Sequence, residues 1–144
     1  MTRLAIASDH AGYDLKESIK QAFGSEIDWL DLGTHSAEAC NYADYGHAMG
    51  RAIVEGQAQR GVIICGSGIG ISIAANRHKG IRGALCTNAT MARLARQHND
   101  ANVLALGSRI TGRDVALDCV RVFLETPYEG GRHKARVEKI DSAL

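Results

Sequence analysis

The sequence predicts an α/β fold: a Rossmann-like three-layer α/β/α sandwich with a five-stranded parallel sheet and a C-terminal helical tail. Three observations predict it. Short apolar runs of strand character alternate along the chain with longer segments whose apolar residues recur at helical spacing. The intervening segments are long enough for right-handed crossovers between parallel strands. The run Val62-Ile63-Ile64 is apolar without alternation, as in a strand covered on both faces. At 144 residues, a single domain over 1–144 is expected.

The elements follow in order. Leu4-Ala5-Ile6-Ala7 reads as the first strand. Ala11 to Phe23 reads as a helix, with Leu15, Ile19, Ala22 and Phe23 on one side. Ile27 to Leu32 is the second strand, and a polar loop runs from Gly33 to about Tyr42. Asp44 is placed to cap a helix whose buried face is Tyr45, Ala48, Met49, Ala52 and Ile53. Gly61 to Cys65 is the third strand, followed by a helix from Ile71 to about His78. Arg82 to Cys86 is the fourth strand. Thr87 or Asn88 caps the helix Met91 to His98, and Asn102 to Leu106 is the fifth strand. Thr111 to Leu124 is a helix closed by Thr126-Pro127. After Tyr128-Glu129-Gly130-Gly131, Val137, Ile140 and Leu144 form an apolar stripe on a short helix. So short a helix needs a surface to pack on, and the tail 128–144 is expected to dock on a partner subunit.

Composition narrows the function. The formal net charge is +1, which gives no general attraction to nucleic acid or an anionic membrane. No apolar run approaches the ~20 residues of a membrane span, and no signal peptide is expected ahead of the first strand. Of the four cysteines, Cys40, Cys65, Cys86 and Cys119, three lie in apolar stretches without disulfide or metal-ligand spacing. Reduced thiols and a cytoplasmic location are expected. No metal site is expected either, since no His/Cys/Asp/Glu set has ligand spacing.

The most informative stretch is Cys65-Gly66-Ser67-Gly68-Ile69-Gly70, where a buried strand runs into a glycine-rich turn and then a helix. Glycines let the backbone approach a ligand and turn its N–H groups toward it. A thiol ahead of a helix N-terminus sits in a field that favours thiolate. Ligands on parallel sheets bind beyond the carboxyl ends of the strands. The other strand ends carry Ser8-Asp9-His10-Ala11-Gly12, Cys86-Thr87-Asn88 and Gly107-Ser108-Arg109. Together they supply an acid, an imidazole, thiols, hydroxyls, an arginine and backbone donors, a set suited to moving protons on a small oxygenated molecule.

Familiar glycine motifs do not fit. The turn is G-x-G-x-G with Ile71 next, so the dinucleotide spacing is off; no Walker lysine follows. Cys65 takes the place where a serine-hydrolase elbow needs glycine, and Ile71 that of a cysteine phosphatase's arginine. Each candidate also has a plain structural role. Cys65 could be a packed core thiol, Ser67 a turn hydroxyl, Asp9 a helix cap and Tyr42 a packing ring. His10 and His98 could be surface imidazoles, as His35 and His47 are read to be. Arg132 and Arg136, four apart, suit either a solvated face or a phosphate clamp.

Beyond these local readings, the chain resembles the sugar-phosphate isomerase family of the type B ribose-5-phosphate isomerases and the galactose-6-phosphate isomerase subunits. The anchors are Ser8 to Gly12, Asp31-Leu32-Gly33-Thr34, Cys65 to Asn76, Arg96 to Leu104, Gly107-Ser108-Arg109 and Tyr128 to His133. The resemblance implies reversible conversion of D-ribose 5-phosphate and D-ribulose 5-phosphate, in the non-oxidative pentose phosphate pathway, without metal or organic cofactor. It implies Cys65 as general base, Ser67 as proton relay, and the turn Gly66, Gly68, Ile69 and Gly70 as the anion hole for an enediolate. It implies His98 as the ring-opening residue with Asp9 nearby. His10, Arg109, Arg132 and Arg136 match phosphate-binding positions, and Tyr42 and Asn99 match substrate contacts. It also implies a homodimer, which could pair into a tetramer, with active sites shared between subunits.

Some family members use a glutamate after the turn as base. Ile71 to Asn76 contains no carboxylate, so this chain falls with the cysteine branch. Asn41-Tyr42-Ala43 departs from the family's usual Asp-Tyr-Pro, which leaves hexose and tetrose phosphates, allose 6-phosphate among them, as alternative substrates. A non-catalytic phosphosugar-binding protein would keep the arginines and the turn but would not need Cys65 or His98.

Overall fold

A computed structural model describes residues 2–142. Strands β1 (Thr2–Ser8), β2 (Ile27–Asp31), β3 (Gly61–Cys65), β4 (Gly83–Leu85) and β5 (Val103–Gly107) form one sheet, in the order β2-β1-β3-β5-β4. Every pairing is parallel. The helices are α1 (Tyr13–Phe23), α2 (Tyr42–Val54), α3 (Ile69–Asn76), α4 (Ala89–Asn99), α5 (Arg113–Glu125) and α6 (Lys134–Asp141). The expected α/β/α sandwich and C-terminal helix are present.

The strand period of two divides the core into two layers. Leu4, Ile6, Val62, Ile64, Leu104 and Leu106 face Ile19 of α1, Ala92 and Ala95 of α4, and Val120 and Phe123 of α5. Ala5, Ala7, Ile63, Cys65, Val103 and Ala105 face Met49 of α2 and Ile71 and Ala75 of α3. Residues on the second side are smaller, and α2 and α3 also press close together. A Cβ on Gly46 of α2 would lie 2.7 Å from the Ile71 carbonyl oxygen of α3.

This arrangement places a crevice. β1 and β5 lead into helices of the first layer, whereas β3, between them, leads into α3 of the second. The outgoing loops part at the carboxyl end of β3, which is where open parallel sheets bind ligands.

Four details differ from expectation. The first helix starts at Tyr13, because Asp9 to Gly12 form a turn in which the Asp9 carboxylate accepts the Gly12 N–H at 3.0 Å. Asn41 rather than Asp44 caps α2, accepting the Ala43 N–H at 2.9 Å. α3 begins at Ile69, two residues early, because Gly68 adopts a left-handed backbone (φ 77°) that lets the turn run directly into the helix. In the tail, Val137 is buried within its own chain while Ile140 is exposed, so these two do not share one uncovered face; Leu144 lies outside the described residues. The open alternative at α4 resolves to Asn88, whose side chain accepts the Met91 N–H at 2.9 Å.

One ion pair in the core secures the β1–β2 edge. Lys16 of α1 is fully buried, with its ammonium 2.7 Å from Asp31 at the end of β2. Burial by itself would raise the Asp31 carboxyl. Hydrogen bonds from Lys16, Lys20 and the Gly33 N–H overcome this and hold it at about 2. Asp31→Asn should cost about 1.5–3 kcal/mol, the size of a charge-assisted hydrogen bond, because the buried Lys16 ammonium then keeps only the Glu17 carboxylate at 3.1 Å. Since the folded carboxyl titrates below its unfolded range, its contribution is complete above about pH 4 and is lost as pH falls toward 2. Urea midpoints of the two proteins against pH should therefore converge below about pH 4.

Candidate active site

The ends of β1, β3 and β5 meet in a cavity of about 580 Å³. Asp9, His10, Tyr42, Cys65, Gly66, Ser67, Ile69, Gly70 and Arg109 line it, and Gly68 shapes the turn between them. Backbone hydrogen bonds tie the three strand ends together. The Asp9 N–H donates to Ile64 O at 3.2 Å, the Ser108 N–H to Cys65 O at 2.9 Å, and the Arg109 N–H to Gly66 O at 2.9 Å. The Ser108 hydroxyl donates to Ala11 O at 2.8 Å.

The chemistry is concentrated at the turn. The Cys65 sulfur is buried and accepts the Gly68 N–H at 3.2 Å, just ahead of α3. Burial pushes the core thiols of Cys86 and Cys119 up to about 12 and about 11, where they stay protonated. Ser67 Oγ accepts the Ile69 N–H at 3.1 Å, so the hydroxyl braces the turn and still has a proton to give. Asp9 is buried, with one oxygen on the Gly12 N–H. His10 accepts the Cys40 N–H on Nδ1 at 3.1 Å, which places the proton of the neutral ring on Nε2. The Arg109 guanidinium lies over Gly66, 3.2 Å from where a Cβ would be, and makes no ion pair among the described residues. The Tyr42 ring occupies the space a Gly70 side chain would need.

His98, Asn99, Arg132 and Arg136 do not join this cavity. His98 lies in the last turn of α4, its ring stacked on His133 with centroids 4.3 Å apart and planes 14° from parallel. Its Nε2 is 3.7 Å from Glu129 Oε1, and His133 Nε2 is 3.6 Å from the same oxygen. These three ligand atoms lie within 4.8 Å of one another, so the expectation that no such set exists is corrected. Glu129 and His133 are four apart in the sequence, and the fold brings His98 of α4 to them. Arg132 and Arg136 are exposed and have no ion pair among the described residues.

Sequence reasoning missed several residues. Ile73 and Ile110 line the cavity mouth and are exposed. Ile73 follows Ile69 by one helical turn and could have been found by that spacing. Cys40 is linked to His10 across a loop, which no local pattern shows. His47 is not a plain surface imidazole: its Nδ1 lies 2.8 Å from His78 Nε2, and the pair is part-buried.

The ribose/galactose isomerase family matches residues 4–140 of the chain. The chain belongs to this family. It is 43% identical over 141 residues to ribose-5-phosphate isomerase B of Escherichia coli strain K12, covering 97% of this chain and 95% of that one. The Thermotoga maritima ribose 5-phosphate isomerase superposes with a TM-score of 0.95 at 48% identity, covering 99% of each chain. D-erythrulose-4-phosphate isomerase of Pectobacterium atrosepticum is 36% identical, covering 97% of this chain and 93% of that one. Family membership makes the chain an aldose–ketose isomerase acting on a sugar phosphate.

The turn depends on a missing side chain. A Cβ on Gly107 would lie 2.5 Å from the Ser67 carbonyl oxygen, a backbone atom that cannot rotate away. Gly107→Ala should displace the turn and reduce isomerase kcat/KM on the order of 100-fold, the effect of misplacing catalytic groups by about 1 Å. Gly112→Ala, with nothing within 4 Å of the new Cβ, is the control and should retain activity. Steady-state kinetics of the two variants provide the check.

Proposed function

We propose that the protein interconverts D-ribose 5-phosphate and D-ribulose 5-phosphate through an enediolate, with Cys65 as general base, in the non-oxidative pentose phosphate pathway of the cytoplasm. The observation that carries this reading is the position of the Cys65 sulfur. It lies at the head of α3, in one cavity with Asp9, Ser67 and Arg109. The Escherichia coli and Thermotoga maritima relatives are named for ribose 5-phosphate, and four free thiols suit a reducing compartment.

The thiolate takes the C2 proton of the open-chain aldose. Charge moves to O1, where the backbone donors of the turn stabilise it. Ser67 passes the O2 proton to O1. The Cys65 thiol then returns its proton to C1 as the C2 carbonyl forms. Each transfer has a group of this chain assigned to it, so the reaction is expected to need neither metal nor organic cofactor. His10, through Nε2–H, and Arg109 hold the phosphate, which fixes the reacting carbons against the thiol.

The site is completed by a second copy of the chain. Arg132 and Arg136 are exposed cations without partners among the described residues, and the cavity mouth carries exposed apolar side chains at Tyr42, Ile69, Ile73 and Ile110. In a homodimer, the partner's tail would bring both arginines to the phosphate, and the partner's α4 end would bring a second His98 and Asn99 to the sugar. That histidine opens the furanose ring, with Asp9 opposite.

Initial rates in both directions test these assignments. Cys65→Ala should lose ~10²–10⁴ of turnover whichever substrate is supplied. His98→Ala should be slow on cyclic ribose 5-phosphate yet retain most of its rate on ribulose 5-phosphate, which cannot form a furanose through its phosphorylated O5. Near-wild-type turnover without Cys65, or equal losses in both directions without His98, would contradict the roles. Running a tetrose phosphate and allose 6-phosphate alongside fixes the substrate range.

A further inference from the structure

The cluster His98, Glu129 and His133 is not accounted for by isomerisation itself. It has the donor types of a metal site, but its geometry argues for another use. A metal ion lies in the plane of each imidazole that binds it. Rings stacked 14° from parallel cannot both aim at one ion. What the geometry does provide is a single carboxylate oxygen facing two imidazole nitrogens, at 3.7 and 3.6 Å.

We propose that Glu129 is a positioning residue for ring opening, holding the His98 imidazole with its proton on Nε2 so that Nδ1 is the base. The proposal rests on the ring-opening reading of His98. Nδ1 takes the proton of the anomeric hydroxyl, O1 becomes the aldehyde oxygen as the C1–O4 bond breaks, and the imidazolium returns the proton to O4. Charge therefore forms on His98 during the step, and a carboxylate beside Nε2–H stabilises it, as in other carboxylate–histidine pairs.

Three features fit this use. The Glu129 N–H donates to Gln97 O at 3.1 Å, which anchors the acid beside the residue preceding His98. His98 is in the last turn of α4, where the helix dipole also favours a cation. His133 is buried, its Nε2 has no hydrogen-bond partner, and its ring restricts rotation of His98 by stacking. Burial, together with the charges of His98 and Arg132, lowers His133 from the usual imidazole range. Facing this cluster, Glu129 is the anion and Arg132 and Arg136 are the opposing cations.

Glu129→Gln tests the proposal, and its half-exposed side chain makes the change compatible with folding. Removing the carboxylate leaves the imidazolium that forms during ring opening without its neighbouring charge, so kcat/KM for ribose 5-phosphate should fall about two- to fivefold, the size of a half-exposed ion pair. Initial rates from ribulose 5-phosphate should be unchanged. NMR of the ¹⁵N-labelled His98 ring should show loss of the Nε2–H tautomer. An unchanged tautomer overturns the proposal, as does equal slowing in both directions. If His98→Ala slows both directions equally, it is the ring-opening reading that fails. The NMR tautomer still decides, without reference to turnover, whether Glu129 controls the ring.

Discussion

The active end of this molecule depends on three backbones approaching more closely than side chains allow. At Gly12, Gly68 and Gly107 a Cβ would lie 2.6 Å from Ile64 O, 2.8 Å from Leu106 C and 2.5 Å from Ser67 O. Without those atoms, the loops after β1, β3 and β5 collapse onto one another and exchange backbone hydrogen bonds. The result is a turn held on both sides, whose inward N–H groups meet the sulfur of Cys65 and the oxygen of Ser67. These two N–H groups are spent on the turn's own side chains, and they fix the thiol and the hydroxyl at the strand end.

The fold also separates the thiols by place. Cys65 ends its strand at the cavity, while Cys86 and Cys119 lie within the first core layer, where burial keeps them protonated. The same strand-end logic gathers Asp9, His10 and Arg109, but α4 and the tail lead away from the cavity. Two groups of polar residues result: one in the cavity, and one exposed around His98, Arg132 and Arg136. The proposed division of the site between two copies of the chain would bring them together.

Much of the fold was legible because its signals are local. Unbroken apolar runs marked β1 and β3, and helical spacing marked α1 and α2. The Cys65 turn announced itself through its glycines and its place at a strand end. The boundaries were missed where geometry outweighs composition. Ile69 enters α3 because Gly68 takes a left-handed backbone, and Asn41 rather than Asp44 meets the first N–H groups of α2. Long-range pairings left no local trace: Cys40 with His10, His47 with His78, and Glu129 with His98. Val137 shows the limit of stripe reasoning, since its burial is within its own chain.

The central claim is that one copy's Cys65 works with the other copy's Arg136. Mixing Cys65→Ala with Arg136→Ala, two proteins each deficient alone, tests it most directly. In a shared arrangement, subunit exchange produces hybrids with one site carrying both defects and one carrying neither. The account predicts that activity returns as exchange proceeds, followed by mass spectrometry of the mixed dimers. Verified exchange without recovery of activity would show that Arg136 serves its own subunit's cavity, and the divided site would be wrong.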